Sequence, residues 1–418
     1  MDEVVDLCRD LIRIDSTNAG DNAGPGERAA AEYVAEKLAE VGLEATILES
    51  DDRRANVIAR IEGADPGRDA LLLHGHLDVV PFDASDWKHH PLEGEVSEGC
   101  VWGRGAVDMK DMDAMILAVA RQRLREGRRP SRDVVLMFTA DEEAGGVYGA
   151  NFLVDEHRGL FEGVTEAIGE VGGFSVSVGE DRRLYLIEAA EKGMAWMRLT
   201  ATGRAGHGSM LNSDNAVTEL AEAVGRLGRY EWPVRLTPTM RMFLEEVGGE
   251  EAVSGLGPLS RMIGAALRNT VNPTMLDAGY KSNVIPQTAS AVIDGRFLPG
   301  FEDEFFATVD ELLGPNVTRE FVQHQVALEF GFEGPLVRAM TEALQAEDPD
   351  GRAVPYTMSG GTDLKAFSRL GIKGYGFAPL KLPAELDFSG MFHGVDERVP
   401  VDSLQFGVRV LDRFLDLC

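Results

Sequence analysis

The chain has few cysteines, no long apolar run and a deficit of positive charge. Three cysteines in 418 residues, Cys8, Cys100 and Cys418, are odd in number and far apart. They give neither a disulfide framework nor a cysteine zinc site, and they predict reduced thiols in a cytoplasm. No stretch approaches the 18 or so apolar residues of a membrane-spanning helix. Met1-Asp2-Glu3 lacks the basic and apolar regions of a signal peptide, so no secretory leader is expected. Lysine and arginine number 41 against 70 acidic residues, a formal net charge of −29. That excess argues against nucleic acid or an anionic membrane as a partner. It favours solubility, and would suit a salty cytoplasm.

What is present is enough apolar residue, 44%, to bury a full core, over a length that allows more than one domain. Apolar spacing predicts helices over 3–14 and 24–41, strands over 43–49 and 56–61, and a central strand from Ala70 to Val80. A helix follows Asp108 to about Leu124, and a buried strand covers 132–140. Strands alternating with helices predict an α/β fold: a mixed, largely parallel sheet flanked by helices. From about Met194 the texture changes. Strand, helix, two strands around Asn283-Val284-Ile285-Pro286, helix, strand is the split order of a ferredoxin-like α+β sandwich, with 236–273 as an extra, partly helical insertion. The expected domains are 1–193, an inserted domain at 194–331, and 332–418 resuming the first.

Polar groups collect where apolar strands end. His74, His76 and Asp78 alternate at the end of the central strand, and alternate residues share a face. A histidine with a carboxylate two residues on is a common way to hold a metal ligand, though a buried, hydrogen-bonded core histidine gives the same pattern. Asp108 stands at a helix mouth, as a ligand or as an ordinary cap. Asp141-Glu142-Glu143 closes another apolar strand, where α/β active sites sit, or where acids decorate a helix start. Adjacent acids point to different sides, so Glu142 and Glu143 could take different tasks, one on a metal and one as a base. Glu170 ends a further apolar step, and His393 stands alone in a loop. Together His76, Asp108, Glu143, Glu170 and His393 make an oxygen and nitrogen donor set that suits two Zn²⁺, with Co²⁺ or Mn²⁺ as substitutes.

Read in order, His76-Leu77-Asp78-Val79-Val80-Pro81, Trp102-Gly103-Arg104-Gly105 with Asp108-Met109-Lys110, Asp141-Glu142-Glu143, Glu170, Gly206-His207-Gly208 and His393-Gly394 with Glu397 resemble the M20 family of metallopeptidases. That family includes glutamate carboxypeptidase, aminoacylase, acetylornithine deacetylase and succinyl-diaminopimelate desuccinylase. The resemblance runs nearly end to end and is nearest the carboxypeptidase S-like branch. It implies a zinc-peptidase-like catalytic domain with an inserted lid that also dimerises. It implies that Asp108 bridges two metals and that the Asp108–Met109 peptide is cis. His76 and Glu170 would complete one metal site, Glu143 and His393 the other. Asp78 would hold the His76 ring, Glu142 would be the general base, and His207 would stabilise the oxyanion, often from a partner subunit. Asn283 and Arg296 would grip a substrate carboxylate, and Gly360-Gly361-Thr362 would line the substrate end. The activity implied is hydrolysis of an amide or peptide bond beside a free carboxylate, in a small molecule or short peptide. Biosynthetic deacetylase or desuccinylase chemistry, and a non-catalytic metal-binding protein, are the competing expectations.

Overall fold

A computed structural model describes residues 3–20, 22–179, 182–257 and 259–418. Met1-Asp2, the start of the stretch read for a leader, lies outside the described residues. Among those described, a ten-stranded mixed sheet carries most of the core. Its middle is parallel: Val134–Thr139, Ala70–His76, Val164–Gly169 and Lys373–Gly376 lie side by side. Its flanks turn antiparallel, through Arg54–Ile61 and Thr46–Asp51 on one side and Arg182–Glu191 with Phe174–Val178 on the other.

The central strands read as unbroken apolar runs because both faces are covered. Leu71, Leu73, Leu136 and Phe138 enter the main core, while Leu72, Val135 and Met137 enter a second core on the opposite face. Helices Glu3–Arg13, Lys110–Glu126, Pro335–Glu347 and Val401–Leu417 lie against the first. The central strand ends at His76, short of the expected Val80. Ser16 and Thr17 explain the early stop. Ser16 Oγ donates to the Leu77 carbonyl at 2.6 Å, and Thr17 bridges to Val79. Beyond His76 the chain thus pairs with the segment that follows the first helix instead of with its sheet neighbours. Two further strands, Arg182–Glu191 and Gly351–Met358, pair in parallel in stretches the apolar spacing did not mark.

A separate four-stranded antiparallel sheet runs Thr270–Ala278, Thr288–Phe297, Gly193–Thr202, Val317–Gln325. Helices Ala216–Arg229 and Glu302–Leu313 cover one face, with Leu199, Leu220, Ile293, Phe305 and Val309 in a core of its own. The stretch expected to belong to this unit, 236–273, divides differently. Helices Pro238–Val247 and Leu259–Ala266 bury Met240, Phe243, Leu244 and Ile263 in the core of the large sheet. Both helices pack against the strand Gly351–Met358 of that sheet.

Candidate metal centre

Three neighbouring parallel strands deliver an imidazole and three acids. Val134–Thr139 leads into Glu142 and Glu143, Ala70–His76 ends in His76, and Val164–Gly169 runs into Glu170. Their C-terminal ends open on one edge, where open α/β sheets bind ligands. The Asp108–Met109 peptide is cis. Asp108 does not cap the following helix, whose first position has no side-chain cap, so its carboxylate is free for the site.

Asp108 stands between two imidazoles. Its Oδ1 is 3.1 Å from His76 Nε2, and its Oδ2 is 3.2 Å from His393 Nε2. His76 Nε2 also lies 3.5 Å from Glu170 Oε2 and 4.0 Å from Glu142 Oε2. His393 Nε2 lies 3.0 Å from Glu143 Oε2. Donor atoms of His76, Glu142 and Glu170, and of His76, Asp108 and Glu143, fall within 4.8 Å of one another. All five expected ligands converge, with Glu142 among them. Asp141, Val171 and His393 adopt φ of +65°, +56° and +58°, a left-handed backbone that side chains other than glycine seldom take. For branched Val171 that conformation is strained.

The donor set fits a pair of divalent cations. Glu143 Oε1 is buried with no protein partner. Burial opposes the charged form of His76, but Glu170, Asp108 and Asp78 outweigh it and raise its pKa well above the usual value. Hydrogen bonds to Asp108 and Glu143 push His393 up to about 10. Burial raises Glu170 to about 8, against the pull of His76. Burial would raise Asp108 too, but His393 and His76 hold it below the carboxylate range. Metal binding requires deprotonated ligands, so cations here would compete with protons on His76, His393 and Glu170.

Asp78 is fully buried beneath the ligands. It accepts from Glu142 N at 3.0 Å, Glu143 N at 3.1 Å and Asn18 Nδ2 at 2.9 Å, and its Oδ1 is 3.5 Å from His76 Nδ1. His76 Nδ1 also meets the Asp78 backbone carbonyl at 3.0 Å, so the carbonyl aims the ring while the carboxylate puts a negative charge beside it and fixes two acid-bearing backbones. Glu397 is buried and shapes the loop before Asp108. It accepts from Arg104 Nη1 at 2.7 Å and from the backbone N–H of Gly105, Val107 and Asp108. Asn18 lies just beyond the first helix, Glu3–Arg13. Its partners Asp78 and Asp141 lie 60 and 123 residues away, beyond any local signal. His74 has no ligand position. It packs edge-on against Phe367 with Nε2 unpartnered, and burial drops its pKa to about 3.

A cavity of about 780 Å³ adjoins the cluster. Arg296, Gly360, Gly361 and Thr362 line it. Arg296 is already engaged, with Nε 2.6 Å from Asp294 Oδ1 and Nη2 3.1 Å from Oδ2. His207 and Asn283 are not brought there. They sit on the exposed ribbon Gly206–His207 with Val284–Ile285, where His207 Nδ1 meets Ser209 Oγ at 2.8 Å.

The profile of peptidase family M20/M25/M40 matches residues 72–417. Human aminoacylase-1 is 27% identical over 98% of this chain and 94% of its own length. A probable carboxypeptidase S-like protein of Dictyostelium discoideum is 27% identical over 81% of this chain and 70% of its own. An M20 family metallo-carboxypeptidase from Sulfolobus solfataricus shares the fold at a TM-score of 0.78, with 20% identity over 100% of this chain and 99% of that one. A dinuclear metal-binding M20 peptidase from Bacillus subtilis does so at 0.62, with 15% identity over 99% and 96%. With the family profile spanning most of the chain, and with strand ends that gather two imidazoles and four carboxylates, this chain belongs to peptidase family M20/M25/M40, hydrolases of amide and peptide bonds.

Proposed function

We propose that the chain is a two-metal hydrolase that cleaves an amide beside a free carboxylate, as an N-acyl-amino-acid amidohydrolase or a carboxypeptidase. The observation that carries this is Asp108, whose two oxygens each face a different imidazole. His76 and Glu170 would hold one ion, Glu143 and His393 the other, with Asp108 between them. Zn²⁺ suits this donor set, and Co²⁺ or Mn²⁺ could replace it. Cations held there would supply Lewis acidity, making a water nucleophilic at neutral pH and polarising the scissile carbonyl.

The chain's own groups do the rest. Glu142, its backbone fixed by Asp78, takes the proton of the attacking water and gives it to the departing nitrogen. Arg296 and the Gly360–Thr362 turn, which line the same cavity, meet the substrate. Full-length similarity to aminoacylase-1, and to a carboxypeptidase S-like protein, supports a substrate with a free carboxylate. The small-sheet unit within 194–331 acts as a lid and pairs with a second copy. That pairing would bring the partner's exposed ribbon, with its histidine and asparagine, to the cavity. The buried, unpaired thiols Cys8 and Cys418 fit a cytoplasmic protein.

The test is Glu142→Ala, assayed on a panel of N-acyl amino acids and dipeptides, with metal content measured alongside. Both metals should stay, while kcat falls about 10²–10⁴-fold. Normal turnover in that variant removes the mechanism. For the lid, His207→Ala mixed with Glu142→Ala should recover activity that neither variant has alone. A monomer at full activity would refute the paired arrangement.

A further inference from the structure

Beneath the glycine turn lies a buried polar junction that the mechanism above does not use. Glu191 ends the strand Arg182–Glu191 of the large sheet, Lys192 follows it, and the next residue, Gly193, begins the small one. Glu191 is fully buried. Its Oε1 accepts from Thr362 Oγ1 at 2.6 Å, and its Oε2 accepts from Thr362 N at 3.1 Å. Lys365 Nζ is 3.4 Å from Glu191 Oε2, and donates to the Lys192 carbonyl at 2.6 Å and the Val326 carbonyl at 2.8 Å. Lys192 and Val326 are the two points where the chain leaves the large sheet and returns to it, between Glu191 and Gly193 and between Gln325 and Leu328. Lys192 Nζ extends the junction. It donates to the Ala265 and Arg268 carbonyls and to Thr270 Oγ1, where the inserted helices re-enter the small sheet.

The turn rests directly on this pair. A Cβ on Gly361 would lie 2.3 Å from Lys365 Cε, so any larger residue there would displace the lysine stem. The turn's cavity side is left with donors to spare. Among the described residues, the N–H groups of Gly360 and Gly361 have no protein acceptor, and the buried Ser359 Oγ has no partner. Ser359, Gly360, Gly361 and Lys365 all line the cavity. Removing two charges from water is costly, and apolar groups of the same volume would often serve stability as well. What such groups cannot do is fix the direction of a turn's N–H groups, which binding needs to about 0.5 Å.

We propose that Glu191 and Lys365 are positioning residues for substrate binding: their buried pair locks the Gly360–Thr362 turn to both strand crossings between the two sheets, so that the turn's free donors meet the substrate carboxylate. This deepens the function proposed above and rests on it for the carboxylate. Neither residue touches substrate through its charge. Both act through the turn.

The experiment measures kcat and KM for an N-acyl amino acid and for its carboxamide, with metal content, in the wild type, Lys365→Met, Glu191→Gln and the double variant Glu191→Gln/Lys365→Met. The double variant leaves no unpaired buried charge, so it serves if either single variant does not fold. In the folded variants KM for the free acid should rise at least tenfold, while kcat changes less than threefold and metal content holds. The preference for acid over amide should fall at least tenfold, a readout that general loosening would not move. Wild-type KM and preference in a folded single or double variant overturn the inference, as does a loss confined to kcat. A wild type that hydrolyses acid and amide equally well refutes the carboxylate reading instead, and the KM arm then decides the positioning role alone.

Discussion

Asp78→Asn is the sharpest probe of how the centre is held. The carboxylate touches neither cavity nor substrate, yet it takes three N–H donors and faces the His76 ring. An amide of the same shape has one acceptor oxygen. Turned one way, it keeps Glu143 N and Asn18 Nδ2 but sets an NH₂ against Glu142 N. Turned the other way, it strands two donors. The better orientation leaves one buried N–H unsatisfied, a cost of about 1–3 kcal/mol. It also removes the negative charge behind His76, and losses of such supporting partners typically reduce metal affinity or activity about 10–100-fold. The expected result is a fall of that size in both metal affinity, measured by competition with a chelator, and kcat/KM on the best substrate. The two should fall together, because one carboxylate supplies the negative charge beside the His76 ring and fixes the Glu142 backbone, while the Asp78 carbonyl that meets Nδ1 stays in place. Wild-type affinity and turnover in Asp78→Asn would refute the reasoning, and so would lost stability with both untouched.

Other outcomes follow from the same geometry. Arg296→Ala should raise KM for a free-carboxylate substrate about 10–100-fold, the worth of a charged hydrogen bond, with little change for the carboxamide; steady-state kinetics on the pair checks it. Phe243→Ala should cost about 3–5 kcal/mol in denaturant unfolding, because the inserted helix belongs to the large core; a loss well below that would detach the helix from it. Burial lowers Lys192 to about 7 from its ordinary 10.5. Between those values the unfolded chain binds a proton that the folded chain refuses, so this group's contribution makes stability rise with pH from about 7 to 10.5. Lys192→Met should flatten that slope in denaturation midpoints measured across the window.

Much of the cage was legible because strand ends leave local marks. An apolar run that stops on His76, on Glu142-Glu143 or on Glu170 says that a buried strand has reached an edge, and an acid or imidazole there needs a partner. The groups that hold the ligands and the glycine turn in place left no such mark. Glu397, Asn18 and Glu191 look like ordinary polar residues in sequence, and their partners lie 289, 60 and 171 residues away. The strands Arg182–Glu191 and Gly351–Met358 escaped notice for a similar reason. Polar residues interrupt both, and their pairing joins segments far apart in the chain.

By itself, the sequence determined the alternation of strands and helices, the split order of the smaller unit and the residues that end the central strands. These are local properties, set by apolar period and by where a buried run must stop. Tertiary structure decided which core received the inserted helices, because an amphipathic face packs against whatever apolar surface is open to it. It also decided that Asp78 and Glu397 would lie buried beneath the ligands, and that one lysine would join the glycine turn to both crossings between the sheets. Burial and hydrogen bonding across hundreds of residues follow from how the sheets are laid side by side, and no local stretch of sequence contains that arrangement.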